Sequence, residues 1–276
     1  MKKILVPTDF SDFANDALKV ATGLALKTGA ELFLLHLEYV MNAVAVNGNS
    51  EDEHIRTSRN RLFRLADETE RLGLKVHTIF IQDQGLDSIE EFIKPYSIDF
   101  IVMGSHGQSG IKHLLVGSTT KHVVKYSDVP VLVIKSLNDG DISFPTILFA
   151  SEFRENLSTV MSGLDSFAGV FNSEVKFLFL NQLYHLIDKD QAGELMKKYE
   201  SFFHFQKPVF SIAETNDDYT AVMEFLKISP SDLIAICLEK QGFPGLFSGS
   251  SLAEKLIRFS EIPVLIFPRR LHGPEK

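Results

Sequence analysis

The residues best suited to chemistry form a glycine-punctuated stretch in the first half of the chain. Gly104, Gly107 and Gly117 are followed at once by the hydroxyl residues Ser118 and Thr119. Glycine lets backbone N–H groups approach an anion closely, and a serine or threonine can cap a helix whose positive end favours negative charge. The stretch is therefore a candidate phosphate loop, although glycine alone would not exclude an ordinary loop.

Strands and helices must hold this stretch in place. An apolar run before it reads as a buried strand, and the segment after it has helical spacing. The same alternation runs through the first half, with strands predicted at 3–6, 31–37, 75–81, 99–103 and 129–134 and helices at 12–28, 54–72, 89–96 and 118–126. This alternation predicts an α/β fold with a parallel sheet covered on both faces by helices.

The pattern begins again after a polar, turn-rich linker near residues 136–144. Four segments of the second half match the first half in the same order, namely 146–153 with 3–10, 173–180 with 30–37, 232–236 with 99–103 and 262–266 with 129–133. Four ordered matches indicate two copies of one unit. We expect two domains, at residues 1–137 and 144–276.

Both copies end in an apolar Pro-Val-Leu strand that should lie at a sheet edge. Such an edge invites pairing with another strand. We therefore expect the two domains to pack as a pseudo-dimer through their fifth strands. The alternative is two domains that tumble independently on a linker, and further assembly into a homodimer is left open.

Composition excludes several classes of protein. A formal charge of −8 and a pI near 5.6 argue against a nucleic-acid-binding surface. Because Cys237 is the single cysteine, an internal disulfide framework is excluded. Its apolar context favours a buried packing residue over a reactive thiol. Neither a secretory segment nor an apolar stretch of membrane-spanning length is present in the sequence, so we expect a cytoplasmic protein without a membrane partner.

The topology of a parallel sheet brings distant residues together, because ligands bind outside the carboxyl ends of its strands. The ends of the first, second and fourth strands would bring together Pro7-Thr8-Asp9, Leu37-Glu38 and Met103-Gly104. A planar base could rest against Leu37 and Met103, with Asp9 near the base or ribose. The phosphates would then run along the glycines to the start of the next helix. This arrangement suits a nucleotide.

The motif also resembles that of a known family. The spacing Gly104-x2-Gly107-x9-Gly117-Ser118, with Ile4-Leu5-Val6-Pro7-Thr8-Asp9 at the N-terminus, is similar to the ATP-binding branch of the universal stress protein family. The resemblance implies a Rossmann-like, doubly wound, five-stranded parallel sheet of order 3-2-1-4-5 in each half. It also implies dimer contacts through the fifth strand. The implied nucleotide contacts are Pro7, Thr8, Asp9, Leu37, Met103, Gly104, Gly107, Gly117, Ser118 and Thr119.

The second half departs from this motif. Cys237 replaces Gly104, Lys240 replaces Gly107, and Ala150-Ser151-Glu152 replaces Pro7-Thr8-Asp9, whereas Gly249-Ser250-Ser251 is retained. Side chains at the first two glycine positions would fill the space that phosphate needs. We therefore expect one competent nucleotide site per chain, in the N-terminal half, and at most a lone anion at the second.

No residue near the motif is predicted to be catalytic. His106 and His113 lie in the glycine loop without a neighbouring carboxylate to orient them, and no metal-binding spacing is present in the sequence. Asp9 is a candidate ligand for a magnesium ion on the phosphates, but a single carboxylate does not by itself indicate a metal site. Contact with the base or sugar suits Asp9 better.

These observations leave three classes of function. The first is an ATP-binding stress-response or regulatory protein with at most slow hydrolysis. The second is a non-nucleotide scaffold of the same fold. The third, an enzyme of adenylate transfer, is disfavoured because the sequence has neither a Gly-x4-Gly-Lys-Ser/Thr loop nor a Ser-Gly-Gly adenylation loop. The intact glycine spacing favours the first.

Overall fold

A computed structural model of the chain describes residues 1–38, 49–82, 94–106, 116–135, 142–153, 156–204, 206–238 and 251–268. The chain divides into two compact units, Met1–Asn138 and Asp139–Lys276. Across these described ranges no helix is long and apolar enough to cross a membrane. Each unit is built around its own five-stranded parallel sheet.

Unit 1 contains the glycine motif. Its strands are β1 (Lys3–Pro7), β2 (Glu31–Glu38), β3 (Val76–Gln82), β4 (Phe100–Gly104) and β5 (Val131–Ile134), and its helices are α1 (Asp12–Thr28), α2 (Asn49–Glu70) and α3 (Ser118–Tyr126). Neighbouring strands are parallel and follow the order β3-β2-β1-β4-β5. The strands are apolar runs because helices cover both faces of such a sheet.

Local sequence signals explain the ends of α1. The Ser11 side chain accepts a hydrogen bond from the Ala14 N–H at 3.2 Å and caps the first turn. Gly29 ends the helix in a left-handed conformation, with φ of 71°. The buried face has helical spacing, with Ala14, Ala17, Leu18, Val20, Ala21, Leu24 and Ala25 against the sheet.

Two helices of unit 1 differ from expectation. Helix α2 begins at Asn49 and ends at Glu70, so it starts earlier and ends earlier than the helix predicted at 54–72. Of the helix predicted at 89–96, the described part is a single 3-10 turn at Lys94–Tyr96. The predicted start of α2 is too late because the first turns of this helix are polar and carry no apolar stripe.

Unit 2 repeats the architecture. Its strands are β6 (Thr146–Ser151), β7 (Glu174–Gln182), β8 (Val209–Thr215), β9 (Leu233–Leu238) and β10 (Val264–Pro268), and its helices are α4 (Ser158–Phe171), α5 (Lys189–Glu200), α6 (Asp218–Ile228) and α7 (Leu252–Phe259). Their order is β8-β7-β6-β9-β10, so both sheets have the order 3-2-1-4-5. The predicted fold class is confirmed.

Candidate functional site

A cavity of about 520 Å³ opens at the carboxyl ends of the strands of unit 1. The ends of β1, β2 and β4 line it together with the start of α3 and one face of α2. Nine of the residues predicted for the site lie in its wall, namely Pro7, Thr8, Asp9, Leu37, Met103, Gly104, Gly117, Ser118 and Thr119. The tenth, Gly107, lies outside the described residues, as does His113.

The turn between β1 and α1 shapes one wall of the cavity. Phe10 adopts φ of 64°, in the left-handed region that non-glycine residues rarely enter. Two side chains support this turn: Thr8 Oγ1 accepts a hydrogen bond from the Phe10 N–H, and Asp9 Oδ1 accepts one from the Ser11 N–H, both at 3.0 Å. The Asp9 carboxylate therefore helps to hold the turn that borders the cavity.

Helix α3 presents its first turn to the cavity. The Gly117 N–H donates to the Ser105 carbonyl at 3.1 Å, and Thr120 Oγ1 donates to the Gly104 carbonyl at 2.9 Å, so both bonds fix the helix start to the end of β4. The first N–H groups of any helix lack partners within that helix and carry its positive dipole end. Such a helix start can receive an anion.

The expected capping by Ser118 or Thr119 is wrong. Gly117 occupies the capping position, with φ of −56° and ψ of 144°, and makes no side-chain cap hydrogen bond. Ser118 is instead the first helical residue, where its hydroxyl is past the position from which a side chain caps. A glycine at the capping position has no hydroxyl or carboxylate of its own to compete with an anion for the N–H groups of the first turn.

Gly104 lies in the cavity wall, and it also has a packing role that was not predicted. A Cβ at this position would lie 2.8 Å from the carbonyl carbon and 2.9 Å from the carbonyl oxygen of Phe13, in α1. Real Cβ contacts are essentially never shorter than 3.0 Å. The glycine thus permits close packing of α1 on β4, and a side chain here would first collide with the protein itself rather than with phosphate or ribose.

One face of α2 completes the cavity, and sequence reasoning missed it. His54, Thr57, Ser58 and Arg61 line the wall at intervals of three and four residues, which places them on one side of a helix. This polar spacing is a signal that the sequence contains. The prediction of a helix at 54–72 rests on its apolar spacing, which does not mark this polar face.

A buried carboxylate between two imidazoles lies where β2 meets α2. Glu38 Oε2 is 3.3 Å from His36 Nε2, and Glu38 Oε1 is 3.2 Å from His54 Nδ1. The other His36 nitrogen, Nδ1, lies 2.7 Å from the Thr8 carbonyl oxygen and donates to it.

An aromatic stack supports this polar cluster from below. The Phe10 ring lies on the His36 ring with centroids 4.5 Å apart. The Arg61 guanidinium also lies over the Phe10 ring, 4.7 Å from its centroid, and Arg61 Nη2 donates to the Phe10 carbonyl at 3.2 Å. Arg61 is therefore engaged with the β1–α1 turn, where its charge and its hydrogen bond help to stabilise the left-handed Phe10.

The geometry does not build a metal or catalytic centre from the predicted candidates. His106 lines the cavity with Nδ1 2.8 Å from Ser105 Oγ and its ring against Phe13. Among the described residues, no group of three or more histidine, cysteine or carboxylate side chains is placed to hold a metal ion. The wall of the cavity thus combines the start of α3 with the polar cluster around Glu38.

The corresponding region of unit 2 has lost these features. Because β6 and β7 pair in the same register as β1 and β2, Phe179 occupies the position of His36 and Asn181 that of Glu38. The Asn181 amide is held by Ile187, accepting from its N–H at 3.1 Å and donating to its carbonyl at 2.9 Å. Tyr199 is fully buried beside Phe153, the counterpart of Phe10.

The phosphate end of unit 2 has changed as well. Cys237 replaces Gly104 in the strand register, and α4 begins later after Phe153 than α1 does after Phe10. Cys237 is partly exposed rather than the buried filler that was expected. The Ser251 side chain accepts from the Glu254 N–H at 3.2 Å and caps α7. Lys240, Gly249 and Ser250 lie outside the described residues.

Comparisons with known proteins support one family. A model described as the universal stress protein family matches residues 1–135. Two universal stress proteins of Methanocaldococcus jannaschii are 31% and 32% identical to the chain over 156 and 139 residues, which is 50% and 49% of this chain and 96% and 82% of those proteins. A universal stress protein structure from Archaeoglobus fulgidus is 21% identical with a TM-score of 0.75, and the match covers 97% of this chain and 98% of that one.

Proposed function

The chain belongs to the universal stress protein family, and from that premise we propose that unit 1 binds ATP and serves a regulatory or stress-response role. One observation carries the proposal. The carboxyl ends of β1, β2 and β4 converge on a cavity whose wall also contains the start of α3, where a glycine occupies the capping position. A nucleotide needs donors for its phosphates and apolar side chains with a few polar neighbours for its base. The start of α3 can supply the donors, and Leu37 and Met103 supply apolar side chains.

Residue roles follow from the two ends. The first turn of α3, at Ser118 and Thr119, would receive phosphate oxygens through backbone N–H groups. Leu37 and Met103 would contact the base, and the Pro7-Thr8-Asp9 turn would face the sugar. Asp9 is a candidate partner for a magnesium ion on the phosphates, but no further carboxylate joins it in the described wall near α3.

Binding rather than turnover is the proposed activity. Of the candidate histidines, His106 contacts Ser105 through Nδ1 and Phe13 through its ring. The sequence has neither of the phosphate loops typical of proteins that turn ATP over rapidly, so we expect hydrolysis to be slow at most. We expect about one nucleotide per chain, because Phe179, Tyr199 and the capped α7 occupy the matching parts of unit 2. Cytoplasmic location and pairing of the fifth strands stay predictions.

The first test looks for the ligand directly. Purified protein is denatured, and any released nucleotide is identified by chromatography and mass spectrometry. Equilibrium dialysis with millimolar ATP then measures affinity and stoichiometry. ATP bound at about one per chain supports the proposal. If no nucleotide is released and none binds in dialysis, the scaffold function takes its place.

The second test removes one phosphate donor while keeping the helix. Proline is favoured at the first helical position, which Ser118 occupies, and Gly117 has an extended ψ that tolerates a following proline. Ser118→Pro removes the backbone N–H group at the cavity together with the Ser118 hydroxyl. Ser118→Ala removes the hydroxyl alone, so the difference in ATP affinity between the two variants reports on the N–H group. Since a hydrogen bond to a charged group contributes about 1.5–3 kcal/mol, we expect ATP affinity to fall at least about tenfold with an unchanged unfolding temperature.

Leu252→Pro is the matched control, because Leu252 is the first residue of α7 in unit 2. It should leave ATP affinity unchanged. Wild-type affinity in Ser118→Pro would show that the phosphates do not contact the start of α3.

A further inference from the structure

We infer that the outward face of α2 binds an acidic peptide segment of a partner protein, in which carboxylates flank an apolar side chain. Four exposed residues of unit 1 form this surface, which we call the arginine face: Arg56, Arg59, Phe63 and Arg64. The inference goes beyond the proposed function, because none of these four residues lines the cavity and docking here does not require a bound nucleotide.

The charge of α2 differs from that of the whole chain. Residues 54–64 contain four arginines and one histidine but no carboxylate, whereas the chain has 36 acidic and 28 basic residues. One of the four, Arg61, contacts Phe10 beside the cavity. The other three are exposed. A chain with a net charge of −8 thus presents a local concentration of positive charge on one helix.

Helical spacing places the exposed residues together. Phe63 follows Arg56 by seven residues and Arg59 by four, so these three side chains lie along one side of the helix, with Arg64 beside them. The Phe63 side chain is 48% exposed in this position. The side of α2 that packs in unit 1 is a different one, formed by the buried residues Leu62, Ala66 and Thr69.

The guanidinium groups of this face are available to a partner. Within the described part of the chain, none of the three arginines forms an ion pair with a carboxylate. Arg59 lies over the Phe80 ring of β3, 4.9 Å from its centroid. Stacking of this kind orders the guanidinium and keeps its N–H edge free to donate to a carboxylate.

The fold itself does not require these arginines. Helix α5 occupies the corresponding position of unit 2, because α2 and α5 each follow the second strand of their own sheet. Helix α5 contains no arginine and exposes the carboxylates of Asp190 and Glu194. The same architecture therefore forms with the opposite charge at this position, so the arginine face is a property of unit 1 rather than of the fold.

Size and charge together favour a short acidic peptide as the partner. The arginine face is about 12 Å long, because its ends are eight helical steps apart, and about four residues of an extended peptide span that length. Exposed carboxylates lie beyond both ends, with Glu53 before the face and Asp67 and Glu68 after it. A nucleic acid or an anionic membrane would extend over these carboxylates and be repelled.

The residue types match such a peptide. A guanidinium donates two parallel hydrogen bonds to one carboxylate, which a lysine cannot do. Phe63 offers an apolar contact between the arginines. Arginine and aromatic side chains are also enriched where protein interfaces gain most of their binding energy.

The test measures binding of a fluorescein-labelled peptide, Ser-Glu-Asp-Leu-Phe-Asp-Glu-Ser, to the whole chain by fluorescence anisotropy. Because the surface is small, we expect weak but saturable binding, with a Kd below about 1 mM. Affinity should fall as salt rises. A control peptide with glutamine and asparagine in place of the acidic residues should bind at least about tenfold more weakly.

Variants locate the binding surface. The double variant Arg56→Gln, Arg64→Gln should lower affinity for the acidic peptide at least about tenfold, and Phe63→Ala should lower it at least about threefold. Both should keep an unfolding temperature near that of wild type, because these side chains are exposed. The matched control is Lys189→Gln, Lys197→Gln, which removes the same charge from exposed positions of α5 and should leave affinity unchanged.

Several results would overturn the inference. No saturable binding of the acidic peptide, or equal losses in the two double variants, would show that the arginine face is not its site. Tighter binding of a single-stranded oligonucleotide or of phosphatidylcholine–phosphatidylserine vesicles, lost in the Arg56→Gln, Arg64→Gln variant, would assign the face to that partner instead. Self-association lost in the same variant would assign it to a second copy of the chain. None of these results bears on ATP binding.

Discussion

Replacing Gly104 by alanine tests the packing of α1 on β4 without any ligand. The added Cβ would lie 2.8 Å from a backbone atom of Phe13, whereas ordinary contact begins at 3.4 Å, so α1 or β4 must move by about 0.6 Å. A backbone atom cannot rotate away as a side-chain tip can. Overpacking of this kind costs about 1–3 kcal/mol, which corresponds to a fall of about 4–8 °C in unfolding temperature for a cost of 2 kcal/mol.

The measurement is thermal unfolding without nucleotide, combined with hydrogen exchange resolved by peptide. Exchange should rise in α1 and β4 and stay unchanged in unit 2. The control is Cys237→Ala, at the corresponding position of β9, where a Cβ is already accommodated; its cost should stay below about 1 kcal/mol.

An unfolding temperature and α1 exchange equal to those of wild type would refute the packing argument. The result also matters for ligand mapping. Gly104→Val should abolish ATP binding, but this loss alone would not locate the phosphates, because the side chain collides with α1 first.

Two further predictions concern stability. Burial lowers the pKa of Lys135, only 7% exposed, from its ordinary value near 10.5 to about 8. The folded state therefore binds fewer protons than the unfolded state between about pH 8 and 10.5. The contribution of Lys135 to the free energy of unfolding rises with pH across that window. Lys135→Met should accordingly be more stable than wild type by up to about 3 kcal/mol below pH 8. Denaturant titrations should show this difference vanish near pH 10.5. A difference that does not change with pH would contradict the prediction. Ser251→Ala should lower the free energy of unfolding by about 1 kcal/mol, because it removes the cap of α7. Ser118→Ala should lower it much less in the same assay, because Ser118 does not cap α3. Equal losses would contradict the difference in capping.

Much of the fold is predictable because it depends on local patterns. Short apolar runs alternate with helical spacing, so an α/β unit follows from the sequence, and four ordered matches reveal its repetition. Boundaries were less predictable. The first turns of α2, from Asn49, are polar and lack the apolar stripe that marks a helix, so only the complete chain shows that they continue it.

The sequence alone indicates which strand ends form the candidate site, because ligand sites in parallel sheets lie at the carboxyl ends of their strands and the glycine motif marks one of these ends. The role of each residue at the site depends on the tertiary structure. Gly104 proved to be a contact for α1, Gly117 rather than Ser118 precedes α3, and Glu38 came to lie between two histidines, of which one is on a different element. These roles depend on distances between segments far apart in the chain, which residue type and spacing do not specify.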